Sequence, residues 1–217
     1  MTGVRAMLFD LDGTLLDSAP DLVRSLNCVR QSEGLAPLPV EECARFASKG
    51  ALGLLQAGMP AASENQFEVW RERFLVHYAA HSCIDSRLYD GISELLDALA
   101  EKSIPWGIVT NKVEALTWPI IDAMDFRQGP KSVVCGDTLP RKKPDPSPVL
   151  LACDQLETAP EDTVFVGDDV RDIQAGEAAG TQTAAVLYGY GSHELSGAVI
   201  ANSVKVHEPR DLLRLLQ

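Results

Sequence analysis

Short apolar runs that end in polar residues or glycine recur along the chain, and they are candidate strands. Each run is four to six residues long, which suits strands better than helices. Runs that are apolar on both faces are typical of a parallel sheet covered by helices on both sides. The predicted strands are residues 6–9, 104–109, 132–135, 163–166 and 183–187.

Segments with helical spacing lie between these runs. Ile92, Leu95 and Leu99 fall on one face of a helix, and Pro148 suits the first turn of another. Because strands and helices alternate, we expect an α/β fold with a doubly wound, Rossmann-like parallel sheet and right-handed crossovers. Such sheets bind ligands at the carboxyl ends of their strands, which is where the polar residues lie.

One long segment interrupts the alternation. Residues 19–84 have only helical patterns, with Pro20 in a first turn and Ser63 at the start of a longer helix. The aromatic residues of that longer helix recur at helical spacing and are expected to pack inside the segment. We therefore predict an inserted helical cap at 19–84 and a core domain formed by 1–18 and 85–217.

Composition and charge narrow the classes of function. Apolar residues make up 46% of the 217 residues and charged residues 23%, as in ordinary globular proteins. A net charge of −12 argues against nucleic acid and anionic membranes as partners, because both bind basic surfaces. No apolar run approaches the roughly 20 residues of a membrane helix, so we expect a cytoplasmic protein. Monomer and homodimer both remain possible.

Cysteine and histidine spacing indicates no zinc site. The five cysteines are scattered and form no CxxC pair, so we expect reduced thiols and no disulfides. His77 and His81 lie four residues apart, which is the spacing of two zinc ligands on one helix face. No convincing third ligand accompanies them, and a solvated pair is the favoured interpretation.

Two carboxylates follow the first predicted strand directly, at Asp10 and Asp12. A carboxylate is a suitable nucleophile toward phosphorus because the attack splits hydrolysis into two easier steps, provided that a cation shields the two anions from each other. The second carboxylate is suited to protonating the leaving alcohol and then deprotonating the attacking water. Gly13 allows the chain to turn sharply after this pair.

Two further groups that suit phosphate chemistry follow later strands. Thr110 and Asn111 can donate hydrogen bonds to phosphoryl oxygens from the end of the second strand. Lys143, next to Pro144, can place a positive charge on a phosphoryl group as negative charge develops there. Its neighbour Lys142 offers the same chemistry, so these residues alone do not decide between the two lysines.

An acidic cluster follows the fourth predicted strand and contains Asp168, Asp169 and Asp172. Carboxylate oxygens without nearby thiolates or imidazoles are the ligands that Mg²⁺ prefers. Together with Asp10, the cluster predicts an octahedral magnesium site. A solvated acidic first turn of a helix is the alternative, but the position at the same sheet edge as Asp10 favours a functional site.

In this order, the motifs DxDGT, a hydroxyl after the second strand, KPxP and GDDxxD resemble those of the haloacid dehalogenase superfamily. The resemblance covers essentially the whole predicted core and implies a Rossmann-like core with a C1-type helical cap. It implies that Asp10 is the nucleophile and that Lys143 stabilises the transferred phosphoryl group. Asp12 would be the acid/base and would also bind the metal through its backbone carbonyl. Thr110 and Asn111 would bind phosphate.

The same resemblance implies an Mg²⁺ cofactor with Asp168 as a carboxylate ligand. Asp169 and Asp172 match positions that, in different members, ligate the metal through water or orient the ligands. Related phosphatases and mutases place a substrate-reading loop where Lys49 and Gly50 stand in this cap. An ordinary surface lysine is the alternative for Lys49.

Longer segments of the sequence, including DxDGTLLDS, YDG, VTNK and AAVLYGYG, are similar to those of the phosphoglycolate phosphatase branch of the superfamily. That branch also contains N-acetylmuramic acid 6-phosphate phosphatases, to which residues 105–112 and 165–190 are more similar. The implied function is hydrolysis of a small phosphorylated metabolite, 2-phosphoglycolate or alternatively a sugar phosphate. A phosphomutase is an alternative that would share every one of these core residues. A dehalogenase would not need Asp12. A non-catalytic binding protein would not need to keep all of the catalytic residues in the four motifs.

Overall fold

The computed structural model describes residues 3–124, 126 and 129–216. The strands are β1 Ala6–Phe9, β2 Leu16–Asp17, β3 Arg87–Leu88, β4 Trp106–Val109, β5 Ser132–Val134, β6 Thr163–Gly167, β7 Gln182–Val186 and β8 Val204–Val206. The α-helices are α1 Ala19–Ser32, α2 Val40–Cys43, α3 Gly50–Gly58, α4 Glu64–His81, α5 Ile92–Glu101, α6 Glu114–Ala123, α7 Ser147–Gln155 and α8 Val170–Ala179. Short 3₁₀ helices are Ala44–Lys49, Pro160–Asp162, Ser192–Glu194 and Pro209–Leu216.

β1 lies inside the six-stranded sheet, between β4 and β6. The six strands are parallel and follow the order β5-β4-β1-β6-β7-β8. Met7 pairs with Trp106 on one side and with Val164 on the other. Because the chain runs outward from β1 through β4 and β5 and then returns to β6, the strand order reverses at β1. In sheets of this kind, ligands bind at the carboxyl ends of the strands around such a reversal.

Burial explains why these segments form strands. All four residues of β1 and of β4 and all five of β6 are buried, as expected for strands that helices cover on both faces. The predicted α/β fold with a doubly wound parallel sheet is confirmed, and the five predicted strands end within two residues of the observed ones. The sequence pattern does not predict β2, β3 or β8, because two or three residues are too few to reveal alternation.

Two helices join the sheet in one apolar cluster. Leu8 of β1 and Phe165 of β6 are buried in the same cluster as Val149 of α7 and Ala175 of α8. Apolar side chains of both helices therefore leave water against the sheet, which is the main favourable contribution to folding. This packing holds the ends of β1 and β6 in place.

The chain divides into two compact units, residues 1–16 with 88–217 and residues 17–87. We name them the core unit and the helical unit. The division falls two residues before and three residues after the boundaries expected from the sequence.

Within the helical unit, α1 packs against α4. Trp70, Phe74 and Tyr78 of α4 are buried at successive turns, as expected for an aromatic stripe that packs inside the unit. The Ser63 side chain caps α4 by accepting a hydrogen bond from the Gln66 N–H at 3.3 Å. Neither this 18-residue helix nor any other helix in the described ranges has the length and apolar character needed to cross a membrane.

One buried carboxylate organises the end of the helical unit. Asp21 of α1 is fully buried, and its oxygens accept hydrogen bonds from the backbone N–H groups of Ile84, Asp85 and Ser86 at 2.9 to 3.3 Å. The Ser86 hydroxyl donates at 2.6 Å, and the Arg24 guanidinium also donates to this carboxylate. Asp21 thus ties the first turn of α1 to the segment that leads out of the unit.

Candidate active site

Three neighbouring strands end at one edge of the sheet, and a candidate residue follows each of them. Asp10 follows β1, Thr110 follows β4 and Asp168 follows β6. The sheet bonds continue past the strand ends, since Asp10 N donates to Val166 O and Thr110 N donates to Val134 O, both at 2.9 Å. The backbone that carries these side chains is therefore held in the register of the sheet.

Lys143 lies among the carboxylates. Its Nζ is 2.9 Å from Asp10 Oδ1, 2.7 Å from Asp172 Oδ1 and 2.6 Å from the carbonyl oxygen of Val109. Burial works to lower the pKa of Lys143, but the two carboxylates raise it above its ordinary value, so the group stays a charged ammonium. The side chain is 2% exposed, whereas Lys142 lies on the surface. The geometry distinguishes between the two lysines, which the sequence does not.

Asp168 is buried beside two other carboxylates. The Thr14 hydroxyl donates to its Oδ1 at 3.3 Å, and the Gly191 N–H donates to its Oδ2 at 2.7 Å. Burial, reinforced by the charges of Asp10 and Asp172, raises the pKa of Asp168 well above its usual value.

Asp10, Asp168 and Asp172 each place one carboxylate oxygen within 4.8 Å of the other two. In the described ranges, no other three carboxylate, thiol or imidazole groups are close enough to share a metal ion. An all-oxygen donor set fits Mg²⁺. A divalent cation would also offset the burial and the charges of Asp10 and Asp172, which together raise the pKa of Asp168. The residues present therefore fit a magnesium ion.

Asp169 and Asp172 have different surroundings. Asp169 caps α8, and its carboxylate accepts hydrogen bonds from Arg171 N, Nε and Nη2 at 2.7 to 2.9 Å. Although burial opposes it, Arg171 holds the pKa of Asp169 below its ordinary value. Burial raises the pKa of Asp172, with Lys143 opposing this rise and Asp10 adding to it. Of these two acidic residues, only Asp172 belongs to the group of carboxylates around Lys143.

The Asp12 carboxylate pairs with a different lysine. Lys112 Nζ lies 2.7 Å from Asp12 Oδ1, and the two side chains are 7% and 19% exposed. Asp12 stands in the turn after β1, where Gly13 N donates to Leu16 O at 2.8 Å. Gly13 has a φ of +84°, and a Cβ there would lie 2.1 Å from Asp168 Oδ2, so this position requires glycine. The sequence contains Lys112 in the motif VTNK but indicates no role for it, because its partner Asp12 is 100 residues away.

Thr110 and Asn111 make contacts within the core unit. Thr110 Oγ1 accepts a hydrogen bond from Lys112 N at 3.2 Å. Asn111 Nδ2 donates to the carbonyl oxygen of Lys143 at 3.0 Å, and so it supports the loop that carries this lysine. Asn111 Oδ1 is buried and lacks a hydrogen-bond partner among the described residues. Phosphate binding by Thr110 and Asn111 stays a prediction.

The loop after β7 contributes to the site, although the sequence indicates no role for it. The Tyr188 hydroxyl donates to the carbonyl oxygen of Thr14 at 2.8 Å, and its ring packs against Tyr89 at 4.9 Å between centroids. Gly191 donates its N–H to Asp168. The glycines of YGYG are the only available signal, since backbone donors have no residue type that would reveal them.

The candidate residues of the helical unit, Lys49 and Gly50, are adjacent at the junction of two helices. Lys49 ends the 3₁₀ helix 44–49 and is exposed, and Gly50 begins α3 with a φ of +60°. A substrate contact by either residue stays a prediction.

The histidine pair of α4 is stacked and bonded within the helical unit. The rings of His77 and His81 lie 4.2 Å apart, and His77 Nδ1 is 3.0 Å from Ser25 Oγ. His81 Nδ1 is 2.8 Å from the carbonyl oxygen of His77. Neither belongs to a group of three possible metal ligands in the described part of the chain.

Comparison with known proteins identifies the family of this fold and site. A family model described as haloacid dehalogenase-like hydrolase matches residues 7–186. An N-acetylmuramic acid 6-phosphate phosphatase of Pseudomonas aeruginosa is 41% identical over 214 residues, which cover 98% of this chain and 95% of the relative. A phosphoglycolate phosphatase of Xylella fastidiosa is 38% identical over 210 residues, which cover 97% and 92%.

A solved structure has the same architecture. The crystal structure of a protein described as a predicted phosphoglycolate phosphatase from Haemophilus somnus superposes with a TM-score of 0.88 at 27% identity. The match covers all of this chain and all of that one.

Proposed function

Because the chain belongs to the haloacid dehalogenase-like hydrolase family and is a phosphatase, we propose that Asp10 attacks the phosphorus of a small phosphomonoester in the presence of Mg²⁺. The pairing of Asp10 with Lys143 at 2.9 Å is the observation that carries this proposal. It supplies a nucleophile whose position is fixed and a buried cation beside the point where phosphoryl charge would develop.

The residues of the core unit suit a two-step hydrolysis. Asp10 would form an aspartyl-phosphate, and Lys143 would bind the phosphoryl oxygens as their charge increases. Asp10, Asp168 and Asp172 would hold the magnesium ion. When bound, the ion neutralises part of the negative charge on the phosphate and on the nucleophile.

Asp12 is suited to move protons between the two steps. In the first step its carboxyl group would give a proton to the ester oxygen while the bond between phosphorus and that oxygen breaks. In the second step the resulting carboxylate would take a proton from water while the water oxygen attacks the aspartyl-phosphate. The enzyme then returns to its starting state with alcohol and phosphate released.

The substrate we propose is a phosphomonoester that also carries a carboxylate. N-acetylmuramic acid 6-phosphate and 2-phosphoglycolate share this feature, and they are the compounds for which the relatives at 41% and 38% identity are named. The Pseudomonas relative has the higher sequence identity of the two, 41% over 98% of this chain, and is named for the sugar phosphate. This favours the sugar phosphate as the substrate. The helical unit, with Lys49 and Gly50, would serve as the cap that selects the substrate, as in the predicted domain organisation.

Phosphate release from four esters, with Mg²⁺ and with EDTA, tests the substrate class. N-acetylmuramic acid 6-phosphate and N-acetylglucosamine 6-phosphate differ only in the lactyl group and its carboxylate. Ethyl phosphate is the matched control for 2-phosphoglycolate. We expect the ester that carries a carboxylate to be preferred in each pair, and turnover of all four esters to disappear in EDTA. Equal rates within both pairs would reject the carboxylate requirement.

The Asp10→Asn variant tests the nucleophile. We expect it to fold normally and to lose at least about 1,000-fold in kcat/KM, which corresponds to about 4 kcal/mol. The matched control is Asp122→Asn, which changes an exposed aspartate of α6 and should leave kcat/KM unchanged. Turnover by Asp10→Asn close to that of the unmodified protein would exclude Asp10 as the nucleophile.

A further inference from the structure

We infer that Lys112 is a positioning residue that holds the Asp12 carboxyl group in place for proton transfer. The inference rests on the proposed function, in which Asp12 carries the proton. It adds a residue that the four motifs do not assign and a reason for the second lysine at this edge of the sheet.

The contact between the two side chains is short and largely buried. Lys112 Nζ donates to Asp12 Oδ1 at 2.7 Å, and the lysine side chain is only 7% exposed. A pair screened from water in this way interacts more strongly than an exposed pair. Because Asp12 has a short side chain with two rotatable bonds, one strong contact to Oδ1 is enough to select its orientation.

The backbone of Lys112 is itself held in place. Its N–H donates to Thr110 Oγ1 at 3.2 Å, and its carbonyl oxygen accepts from Gly136 N at 2.8 Å. A Cβ at Gly136 would lie 2.2 Å from the carbonyl oxygen of Asn111, so the loop after β5 packs tightly on this turn. The backbone of Lys112 is therefore held in place while its side chain contacts Asp12, as a positioning role requires.

The two buried lysines serve different carboxylates. Lys143 contacts Asp10 and Asp172, whereas Lys112 contacts Asp12. In these contacts the nucleophile and the proton carrier are paired with different lysines. This separation makes the effect of Lys112 measurable on its own.

The contact to Oδ1 orients the carboxyl group and takes no part in the proton transfer itself. In the proposed mechanism the Asp12 carboxyl group gives a proton to the ester oxygen as the bond between phosphorus and that oxygen breaks, and the electron pair of the bond stays on the ester oxygen. The Asp12 carboxylate later takes a proton from the attacking water. Lys112 exchanges no proton in either step.

Leaving groups of different basicity test this role. An alkyl ester such as 2-phosphoglycolate or N-acetylmuramic acid 6-phosphate needs a proton on its leaving oxygen, whereas p-nitrophenyl phosphate releases a stable phenolate without one. The value of kcat/KM includes only the steps up to departure of the alcohol, so the later water step does not enter the comparison.

For Lys112→Met, we expect the ratio of kcat/KM for the alkyl ester to that for p-nitrophenyl phosphate to fall by about 30-fold or more, since a misplaced general acid loses on the order of 100-fold. Lys112→Arg should restore most of the ratio. Lys131→Met, at an exposed lysine, is the matched control and should leave it unchanged. If Lys112→Met lowers kcat/KM by the same factor for both substrates, the lysine has only a structural role and the inference is overturned.

A double-mutant cycle with Asp12→Asn separates this inference from the proposed function. We expect Lys112→Met to lower kcat/KM for the alkyl ester in the presence of Asp12 and to change it by less than about threefold in the Asp12→Asn background. Equal effects in both backgrounds would refute coupling between the two residues. Full alkyl-ester turnover by Asp12→Asn alone would instead refute Asp12 as the proton carrier, and with it the basis of the inference.

Discussion

The Asp21 carboxylate accepts two hydrogen bonds from Ser86, one from the backbone N–H at 2.9 Å and one from the hydroxyl at 2.6 Å. These residues stand at opposite ends of the helical unit in sequence, 65 positions apart. One buried side chain therefore joins the entry and the exit of this unit, and its replacement should loosen both.

Asp21→Asn should lower the free energy of unfolding by about 2 to 4 kcal/mol, because an amide group would face N–H donors that lose their charged, buried acceptor. Urea unfolding followed by circular dichroism measures this change. The exposed Asp85 is the matched site, and Asp85→Asn should change the free energy by less than about 1 kcal/mol. Equal effects at the two positions would contradict the account of Asp21.

Lys143→Met should destabilise the protein and abolish turnover. The substitution leaves Asp10 and Asp172 buried without their common cation, and removal of one partner of a buried ion pair costs about 3 to 5 kcal/mol. Denaturant unfolding of Lys143→Met beside Lys142→Met measures the difference, since Lys142 is exposed. A loss of stability in Lys142→Met as large as that in Lys143→Met would be inconsistent with the contacts described.

Magnesium should stabilise the folded protein, because it binds carboxylates that the folded state brings together. At 100 times the dissociation constant, the gain in free energy is about 2.7 kcal/mol. Asp168→Asn should abolish the rise in thermal midpoint that Mg²⁺ causes. Asp169→Asn should retain it, because asparagine still caps α8 and Asp169 lies outside the carboxylate set. If Mg²⁺ no longer raised the thermal midpoint of Asp169→Asn, Asp169 would have to be counted among the metal ligands.

Stability should fall in acid through His77. Burial, together with the positive charges of His81 and Arg24, lowers the pKa of His77 from its ordinary value of 6.5. The unfolded chain therefore binds this proton more tightly than the folded protein does. The contribution is fully present above pH 6.5 and is lost as the pH falls toward the lowered value.

The difference in unfolding free energy between pH 7.5 and pH 5.5 measures this contribution. His77→Gln should reduce the difference, and His207→Gln, at an exposed position of the core unit, should not. An unchanged difference in His77→Gln would show that other groups cause the acid sensitivity.

Much of the fold could be predicted from the sequence because buried parallel strands have a clear apolar pattern. The run 6–9 matches β1 exactly, and its continuous burial explains why. The short strand β8 could not be predicted, since two of its three residues are exposed and only Val206 is buried. Its position depends on pairing with β7, which local pattern does not reveal.

The candidate site was predictable where side chains stand in recognisable motifs, as for Asp10 and Lys143. It was not predictable where contacts join distant or backbone groups. The Lys112 ammonium meets Asp12 across 100 residues, and the Gly191 N–H meets Asp168 without any side chain. Such contacts depend on the order of the strands and the course of the loops, which motifs do not contain.

The strand order also has a consequence for synthesis on the ribosome. β1 is translated before its two neighbours in the sheet, β4 and β6, which begin only at residues 106 and 163. At a translation rate of about 5 to 20 residues per second, β6 is synthesised roughly 8 to 30 s after β1. During that interval a fully apolar segment has unpaired edges, and such edges promote association between chains. The nascent protein should therefore depend on chaperones most strongly before residue 167 emerges.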